Sequence, residues 1–213
     1  MSTDKKTALL AGASGLIGQT LLQQLLNSNE YSKITILVRR PLELQHPLLE
    51  QKVINFDKIG TLELKADDIF CTLGTTIKTA GSKEAFKRVD KEYPLQIANQ
   101  SFNNGARLFA IVTSMGSNKN SSFFYNQVKG ELEEELKNIN FQHIGIFRPS
   151  MLVGNRKESR IGEKIGQIFM KVFDFLIPKK YKAIHVDKVA LAMLEYAKRP
   201  KEGLSEIESD KMY

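Results

Sequence analysis

The stretch Gly12-Ala13-Ser14-Gly15-Leu16-Ile17-Gly18 has the spacing G-x-x-G-x-x-G, and it joins an apolar strand pattern to an apolar helical pattern. In such a turn the first glycine permits a tight bend, the second lets backbone approach a pyrophosphate, and the third lets helix and sheet pack closely. The helix N-terminus adds free N–H groups and a partial positive charge. The stretch predicts a phosphate-binding loop rather than a plain glycine-rich turn. The expected contact residues are Gly12, Ser14, Gly15, Leu16, Ile17 and Gly18.

Short apolar runs alternate with longer segments of helical spacing along the whole chain, which predicts a doubly wound, mostly parallel α/β sheet with helices on both faces. The predicted strands are Thr7–Ala11, Lys33–Val38, Val53–Phe56, Ile69–Leu73, Leu108–Thr113, Ile144–Phe147 and a last short strand at Ile207. The predicted helices are Leu16–Leu26, Glu84–Asn103, Tyr125–Lys137, Ile161–Leu176 and Val186–Ala197. The second of these helices contains Pro94, so it must kink or restart there.

Length and composition predict one domain. The chain has 213 residues, of which 42% are hydrophobic, so it buries a sizeable core and is not disordered. We expect a single domain over 1–213, with 153–185 as a small substrate-side or lid segment. Cys71 is the only cysteine, which excludes a disulfide scaffold and favours a reducing compartment. A cytoplasmic location is therefore expected.

Several classes of protein are excluded. No run of about 18 apolar residues exists, so no membrane span is expected. The three histidines are scattered without metal-ligand spacing, so no metal site is expected. The net charge of +7 is spread along the chain and no recognition motif accompanies it, so no nucleic-acid partner is expected. We expect the apolar stripe of Ile161–Leu176 to pack on the core or to close over a substrate pocket, with a homodimer face or a membrane-surface helix as the alternatives.

The end of the second strand distinguishes the two nicotinamide dinucleotides. NAD-binding proteins place an acidic residue there to bind the ribose 2′-hydroxyl, whereas this chain has Arg39 and Arg40. A guanidinium forms charge-assisted hydrogen bonds with a 2′-phosphate, which a carboxylate would repel. The two arginines therefore predict NADP(H) as the cofactor.

A group of polar residues with acid–base chemistry follows the fifth strand. Tyr125 and Lys129 form Y-x-x-x-K, and residues four apart share a helical face. A nearby ammonium stabilises a phenolate, so Lys129 tunes Tyr125 as an acid or base. Ser114, at the carboxyl end of the preceding strand, is expected to polarise a substrate carbonyl, with Thr113 as the alternative hydroxyl.

These residues together resemble the short-chain dehydrogenase/reductases with a Rossmann fold, and the glycine spacing resembles their extended and atypical branches. A closer resemblance is to the Tat-interacting-protein-like oxidoreductases. It rests on the segments Cys71-Thr72-Leu73-Gly74-Thr75-Thr76, Arg88-Val89-Asp90, Val128-Lys129-Gly130-Glu131, Phe147-Arg148-Pro149 and Glu158-Ser159-Arg160-Ile161-Gly162-Glu163.

The resemblance implies further cofactor contacts. Leu73, Gly74 and Thr75 would pass near the adenine-side ribose and pyrophosphate, and Asp57 would approach the adenine. Pro149, Met151 and Leu152 would border the nicotinamide, while Tyr125 and Lys129 would contact the cofactor as well as catalyse.

The expected function is NADPH-dependent reduction of a small carbonyl substrate, or oxidation of the alcohol in reverse, with Ser114, Tyr125 and Lys129 as catalytic residues. Because the family includes regulators, the alternative is a non-catalytic NADP(H)-binding protein that acts through a protein partner.

Overall fold

A seven-stranded sheet forms the centre of the computed structural model, which describes residues 5–154 and 181–213. The strands run in the order β3-β2-β1-β4-β5-β6-β9, and every neighbouring pair is parallel. They are β1 (Lys6–Ala11), β2 (Tyr31–Val38), β3 (Leu49–Val53), β4 (Asp68–Cys71), β5 (Leu108–Val112), β6 (His143–Arg148) and β9 (Gly203–Glu208). A separate parallel pair joins β7 (Leu152–Val153) to β8 (Ile184–His185). This order confirms the predicted doubly wound Rossmann sheet.

Helices cover both faces of the sheet. The described helices are α1 (Leu16–Asn27), α2 (Ile77–Ala80), α3 (Lys83–Lys87), α4 (Tyr93–Asn103), α5 (Phe124–Leu136) and α6 (Val186–Lys198). Helices α1 and α6 pack on one face, and α4 and α5 pack on the other. Strand β5 shows why both faces are dry: Leu108 and Ala110 belong to one core, while Phe109 and Ile111 belong to the other.

Two predicted elements differ from the structure. The third strand ends at Val53, where the prediction had it begin, because Asn55 caps a 3₁₀ turn over Phe56–Thr61. The predicted long helix is divided into α3, a π-helical turn (Arg88–Glu92) and α4. Pro94 lies in the first turn of α4, directly after the π-helical turn.

Some predictions fall outside the described residues. They include the helix at Ile161–Leu176 and most of the 153–185 segment. Among the described residues, no helix has both the length and the apolar character needed to cross a membrane. The same residues contain no group of three or more metal-ligating side chains of the His, Cys, Asp and Glu types.

Candidate functional site

The candidate site lies at the carboxyl ends of the strands, where β1 and β4 are neighbours. The chain leaves these two strands toward opposite sides of the sheet, and such a switch point opens a crevice for ligands. Thr72, directly after β4, donates its backbone N–H to the carbonyl of Ala11 at 2.9 Å. The loops after the two strands therefore lie side by side.

The loop after β1 leaves no room for a side chain at two of its glycines. Gly12 has a φ of 93°, and a methyl group added there would lie 2.6 Å from Thr72 Oγ1. A methyl group added to Gly18 would lie 2.0 Å from the carbonyl oxygen of Gly12. The Gly15 N–H donates to that same oxygen at 2.9 Å, which closes the turn. Only glycine at these positions lets α1 begin so close to the sheet.

The N-terminus of α1 fits an anion. Gly15 is its N-cap residue, so no side chain caps the first turn, and no acidic residue lies there. The first-turn N–H groups of Leu16 and Ile17 and the positive end of the helix dipole are thus without a neutralising side chain. Ser14 is exposed in this loop, and its backbone carbonyl accepts a hydrogen bond from the side-chain amide of Gln19.

Two exposed arginines follow β2. Neither Arg39 nor Arg40 forms an ion pair within residues 5–154 and 181–213. Their guanidinium groups are therefore available to an anionic ligand at the strand end that flanks the glycine loop.

Asp57 lies in the 3₁₀ turn after β3 and already has protein partners. Its Oδ1 accepts a 2.5 Å hydrogen bond from the hydroxyl of Tyr93 and lies 3.8 Å from Arg88 Nη1. More than half of its side chain is nevertheless exposed. Asp57 therefore has a second oxygen and a solvent-facing surface with which to meet a ligand.

The loop after β4 lies directly against a buried ion pair. Lys129 Nζ lies 2.8 Å from Asp90 Oδ1, with side chains 3% and 1% exposed. The other oxygen of Asp90 accepts the backbone N–H of Thr75 at 2.9 Å. A methyl group added to Gly74 would lie 3.5 Å from Asp90 and 3.9 Å from the ammonium. The structure thus brings together the Leu73–Thr75 loop and the predicted catalytic lysine.

Asp90 stabilises the charged form of Lys129. Burial alone would lower the pKa of this lysine, but the adjacent carboxylate outweighs burial and raises the pKa above its ordinary value. In the sequence, Arg88-Val89-Asp90 carries a family resemblance but predicts no role for Asp90. The signal that could have identified Asp90 is a carboxylate four residues before Pro94, near the point where a helix is expected to kink or restart.

Tyr125 lies in the first turn of α5 and is half-buried. Its ring packs on Phe86 with centroids 5.5 Å apart. No hydrogen bond joins its hydroxyl to Ser114 or Lys129 in the described part of the chain. Ser114 is also half-buried, and its Oγ lies 3.3 Å from Ser117 Oγ. Catalytic hydrogen bonds are often long or poorly aligned before a ligand binds, so Tyr125 and Ser114 can act together without a hydrogen bond between them in this structure.

The loop after β5 is pressed against α5. Asn118 donates its N–H to the carbonyl of Asn126 at 3.0 Å. A methyl group added to Gly130 would lie 2.2 Å from the backbone between Asn118 and Lys119. Gly130 therefore allows the loop that carries Ser114 to rest on the helix that carries Tyr125.

Strand β6 ends in the last group of predicted contacts. The backbone carbonyl of Pro149 accepts a 2.9 Å hydrogen bond from the N–H of Met115, which connects this segment to the loop after β5. Met151 is 46% exposed, and Leu152 begins β7. Exposed methionine beside polar loops is suited to contact a ligand.

Arg148, at the end of β6, anchors a charged network that sequence reasoning also missed. Its Nη2 lies 2.6 Å from Glu133 of α5, and its Nη1 lies 2.7 Å from Glu206 of β9. The network fixes α5 against the two strands.

Cys71 is fully buried, which raises its pKa to about 12 and leaves it an unreactive thiol.

The HIM1 family model matches residues 20–181. The chain belongs to the HIM1 family. This HIM1-family chain is 35% identical over 212 residues to the protein HTATIP2 of Rattus norvegicus, covering 97% of this chain and 87% of the relative. It is 32% identical over 177 residues to the FMP52 protein of Candida glabrata, covering 78% and 75% respectively. The predicted resemblance to the Tat-interacting-protein-like oxidoreductases is confirmed.

A solved structure shows the same fold as this HIM1-family protein. The Bordetella bronchiseptica enzyme WbmH, in complex with NAD+, matches with a TM-score of 0.73 and 15% identity. The match covers 96% of this chain and 76% of the enzyme. The chain therefore has a Rossmann fold.

The fungal relatives correct the expected cytoplasmic location of this HIM1-family protein. Those of Candida glabrata, Candida albicans and Saccharomyces cerevisiae are each named mitochondrial. The cytoplasmic prediction is therefore wrong. A cysteine count reports on redox conditions, not on which compartment supplies them.

Proposed function

We propose that this protein is an NADP(H)-dependent oxidoreductase that reduces a small aldehyde or ketone, or oxidises the corresponding alcohol. The observation that carries the proposal is the contact of the Gly74 loop with the buried Lys129–Asp90 pair. A loop expected to hold the cofactor and a lysine expected to assist catalysis meet at one place, although they are far apart in the sequence.

The residues fit a phosphorylated dinucleotide. The uncapped start of α1 would bind the pyrophosphate through Gly15, Leu16 and Ile17, with Gly12, Ser14 and Gly18 shaping the turn. Arg39 and Arg40, which form no ion pair with any other described residue, would bind a 2′-phosphate, and this group distinguishes NADP(H) from NAD(H). Asp57 and the Leu73–Thr75 loop would hold the adenine side. Pro149, Met151 and Leu152 would border the nicotinamide. The NAD+ bound to WbmH supports this class of cofactor.

The chemistry assigned to the protein side chains is proton transfer and charge stabilisation. When bound, a nicotinamide would supply or accept the hydride at the carbonyl carbon. Tyr125 donates its phenolic proton to the carbonyl oxygen as negative charge develops there. Ser114 donates a hydrogen bond to the same oxygen, and the ammonium of Lys129 stabilises the resulting phenolate. In the reverse direction, the phenolate accepts the proton of the alcohol.

A second candidate is a non-catalytic NADP(H)-binding regulator that acts through a protein partner. The observation that favours it is the 2.8 Å ion pair between Lys129 and Asp90, since an ammonium balanced by a carboxylate acts less strongly on Tyr125. The two candidates share the same cofactor site and differ in whether the protein turns over a substrate or acts through a protein partner.

The proposal is tested by titrating the purified protein with NADPH and NADH while following nicotinamide fluorescence, then measuring NADPH oxidation over a panel of small carbonyl compounds. Preferential NADPH binding and turnover that Tyr125→Phe abolishes are expected. Binding without turnover on any compound would favour the regulator. Absence of binding to both dinucleotides would overturn both candidates, and equal turnover by Tyr125→Phe would remove the assigned mechanism.

A further inference from the structure

The charge balance around Lys129 is simple. Asp90 is the only carboxylate within ion-pair distance of its ammonium in the described part of the chain. The titratable groups that act on Lys129 are Asp90 from the π-helical turn, Tyr125 from its own helix and Cys71 from β4. The Cys71 thiol, with its pKa raised to about 12, carries no charge near neutral pH. The Lys129–Asp90 pair therefore contributes a net charge of zero to the site.

If the proposed function holds, the Lys129–Asp90 pair lies close enough to the bound nicotinamide ring for its charge to act on that ring. Lys129 is on the same helical face as Tyr125, one turn further along α5. Both members of the pair are almost wholly removed from water, so their charges are poorly screened. The oxidised nicotinamide ring carries one positive charge, and the reduced ring carries none. An unbalanced ammonium at this position would repel only the oxidised form.

We infer that Asp90 determines the preference of this site between the oxidised and the reduced dinucleotide, by balancing the charge of Lys129 beside the nicotinamide. The inference rests on the proposed function, because it requires the nicotinamide to lie near Tyr125 and Lys129. Asp90 acts through Lys129 and is therefore a positioning residue.

A purely structural role for Asp90 has a different signature. Its Oδ2 accepts the N–H of Thr75 and so supports the loop after β4. If support of this loop were the whole role, its loss would weaken both forms of the dinucleotide equally. The ratio of the two dissociation constants then separates charge from structure, because any effect common to both forms cancels.

The experiment measures dissociation constants for NADP+ and NADPH by calorimetry at pH 6.5, far below the ordinary lysine pKa of about 10.4, which favours the protonated form of Lys129 when Asp90 is replaced. Asp90→Asn retains an oxygen that can accept the Thr75 N–H and removes the negative charge. Its ratio of Kd for NADP+ to Kd for NADPH is expected to rise on the order of tenfold above wild type. Glu92→Gln removes an exposed carboxylate from the same turn and is expected to leave the ratio unchanged.

Two further variants distinguish the effect of charge from the effect of a folding defect. Asp90→Asn combined with Lys129→Met removes both charges, and its ratio is expected to return to the wild-type value. Lys129→Met alone, measured at pH 8, leaves the carboxylate unbalanced and is expected to lower the ratio. Circular dichroism establishes that each variant is folded.

The outcomes are distinct. A ratio that rises in Asp90→Asn and returns in the double variant supports the inference. If Asp90→Asn weakens the binding of NADP+ and NADPH equally, so that the ratio is unchanged, the inference is overturned and the proposed function stays intact. An unchanged or raised ratio in Lys129→Met has the same consequence. If wild type binds neither form, the inference is overturned together with the proposed function.

Discussion

Thr113 Oγ1 donates a 2.6 Å hydrogen bond to Glu133 Oε1, and both side chains are buried. The same carboxylate receives the guanidinium of Arg148 through its other oxygen at 2.6 Å. Thr113 is thus held within a structural network, whereas the neighbouring Ser114 is half-buried and lies beside Ser117 in a loop. Sequence reasoning left the catalytic hydroxyl open between these two residues, and the contact favours Ser114.

Substitution of the two hydroxyl residues should therefore have opposite effects. Ser114→Ala is expected to lower turnover by roughly 100-fold, because a hydrogen bond to the developing oxyanion is lost, with little change in stability. Thr113→Val is expected to cost about 1–3 kcal/mol of stability, because Glu133 loses a buried donor, with turnover largely retained. Steady-state kinetics and urea unfolding of both variants check this. The reverse pattern would assign catalysis to Thr113.

Removal of the Asp90 carboxylate should destabilise the fold strongly. Asp90→Ala leaves the Lys129 ammonium buried without a partner, which is expected to cost about 3–5 kcal/mol in the free energy of unfolding. Glu92→Ala removes an exposed carboxylate from the same turn and is expected to change stability by at most about 0.5 kcal/mol. Urea titration of both variants measures the difference. Equal stabilities would show that the buried pair contributes nothing.

The same pair predicts a loss of stability at alkaline pH. The pKa of Lys129 is raised in the folded protein, so its contribution is fully present below the ordinary lysine pKa of about 10.4 and is lost as pH rises through the folded value. The free energy of unfolding of wild type, relative to the variant that combines Asp90→Asn with Lys129→Met, should therefore fall above about pH 10.4. A difference that stays constant between pH 8 and 11 would contradict this.

The two arginines after β2 should control the choice of dinucleotide. Replacing Arg39 and Arg40 together by Ala is expected to weaken NADPH binding at least about tenfold, because each charge-assisted hydrogen bond contributes about 1.5–3 kcal/mol. NADH binding should change little, since it lacks the 2′-phosphate. Arg199→Ala is the control, because it removes an exposed arginine just after α6, far from the carboxyl ends of the strands. Equal weakening of NADH and NADPH would count against a role in 2′-phosphate recognition.

Gly130 should not tolerate a side chain. Gly130→Ala places a methyl group 2.2 Å from the backbone at Asn118 and Lys119, so the loop after β5 must move. We expect a loss of about 1–3 kcal/mol in stability, as in other overpacked sites, together with lower turnover because Ser114 is displaced. Gly60→Ala is the matched control, since nothing lies within 4 Å of a methyl group there. Thermal unfolding of the two variants gives the comparison, and equal midpoints would show that the loop moves without cost.

Much of the fold was predictable because its signals are local. Strand β2 and helix α1 lie within a few residues of their predicted positions, since apolar spacing within one segment reports which face it buries. The third strand was misplaced because Phe56 is apolar and buried, yet it packs from a capped 3₁₀ turn rather than from the sheet. Burial alone does not distinguish those two backbones.

The sequence by itself determined the parallel sheet, the glycine loop and the place of Arg39 and Arg40 at a strand end, because each depends on residues that are contiguous in the chain. Only the tertiary structure decided that Asp90 neutralises Lys129, that Glu133 holds Thr113, and that Gly130 admits the loop after β5. These relationships join separate elements, and their strength comes from the exclusion of water between them, a property that no single segment of the chain contains.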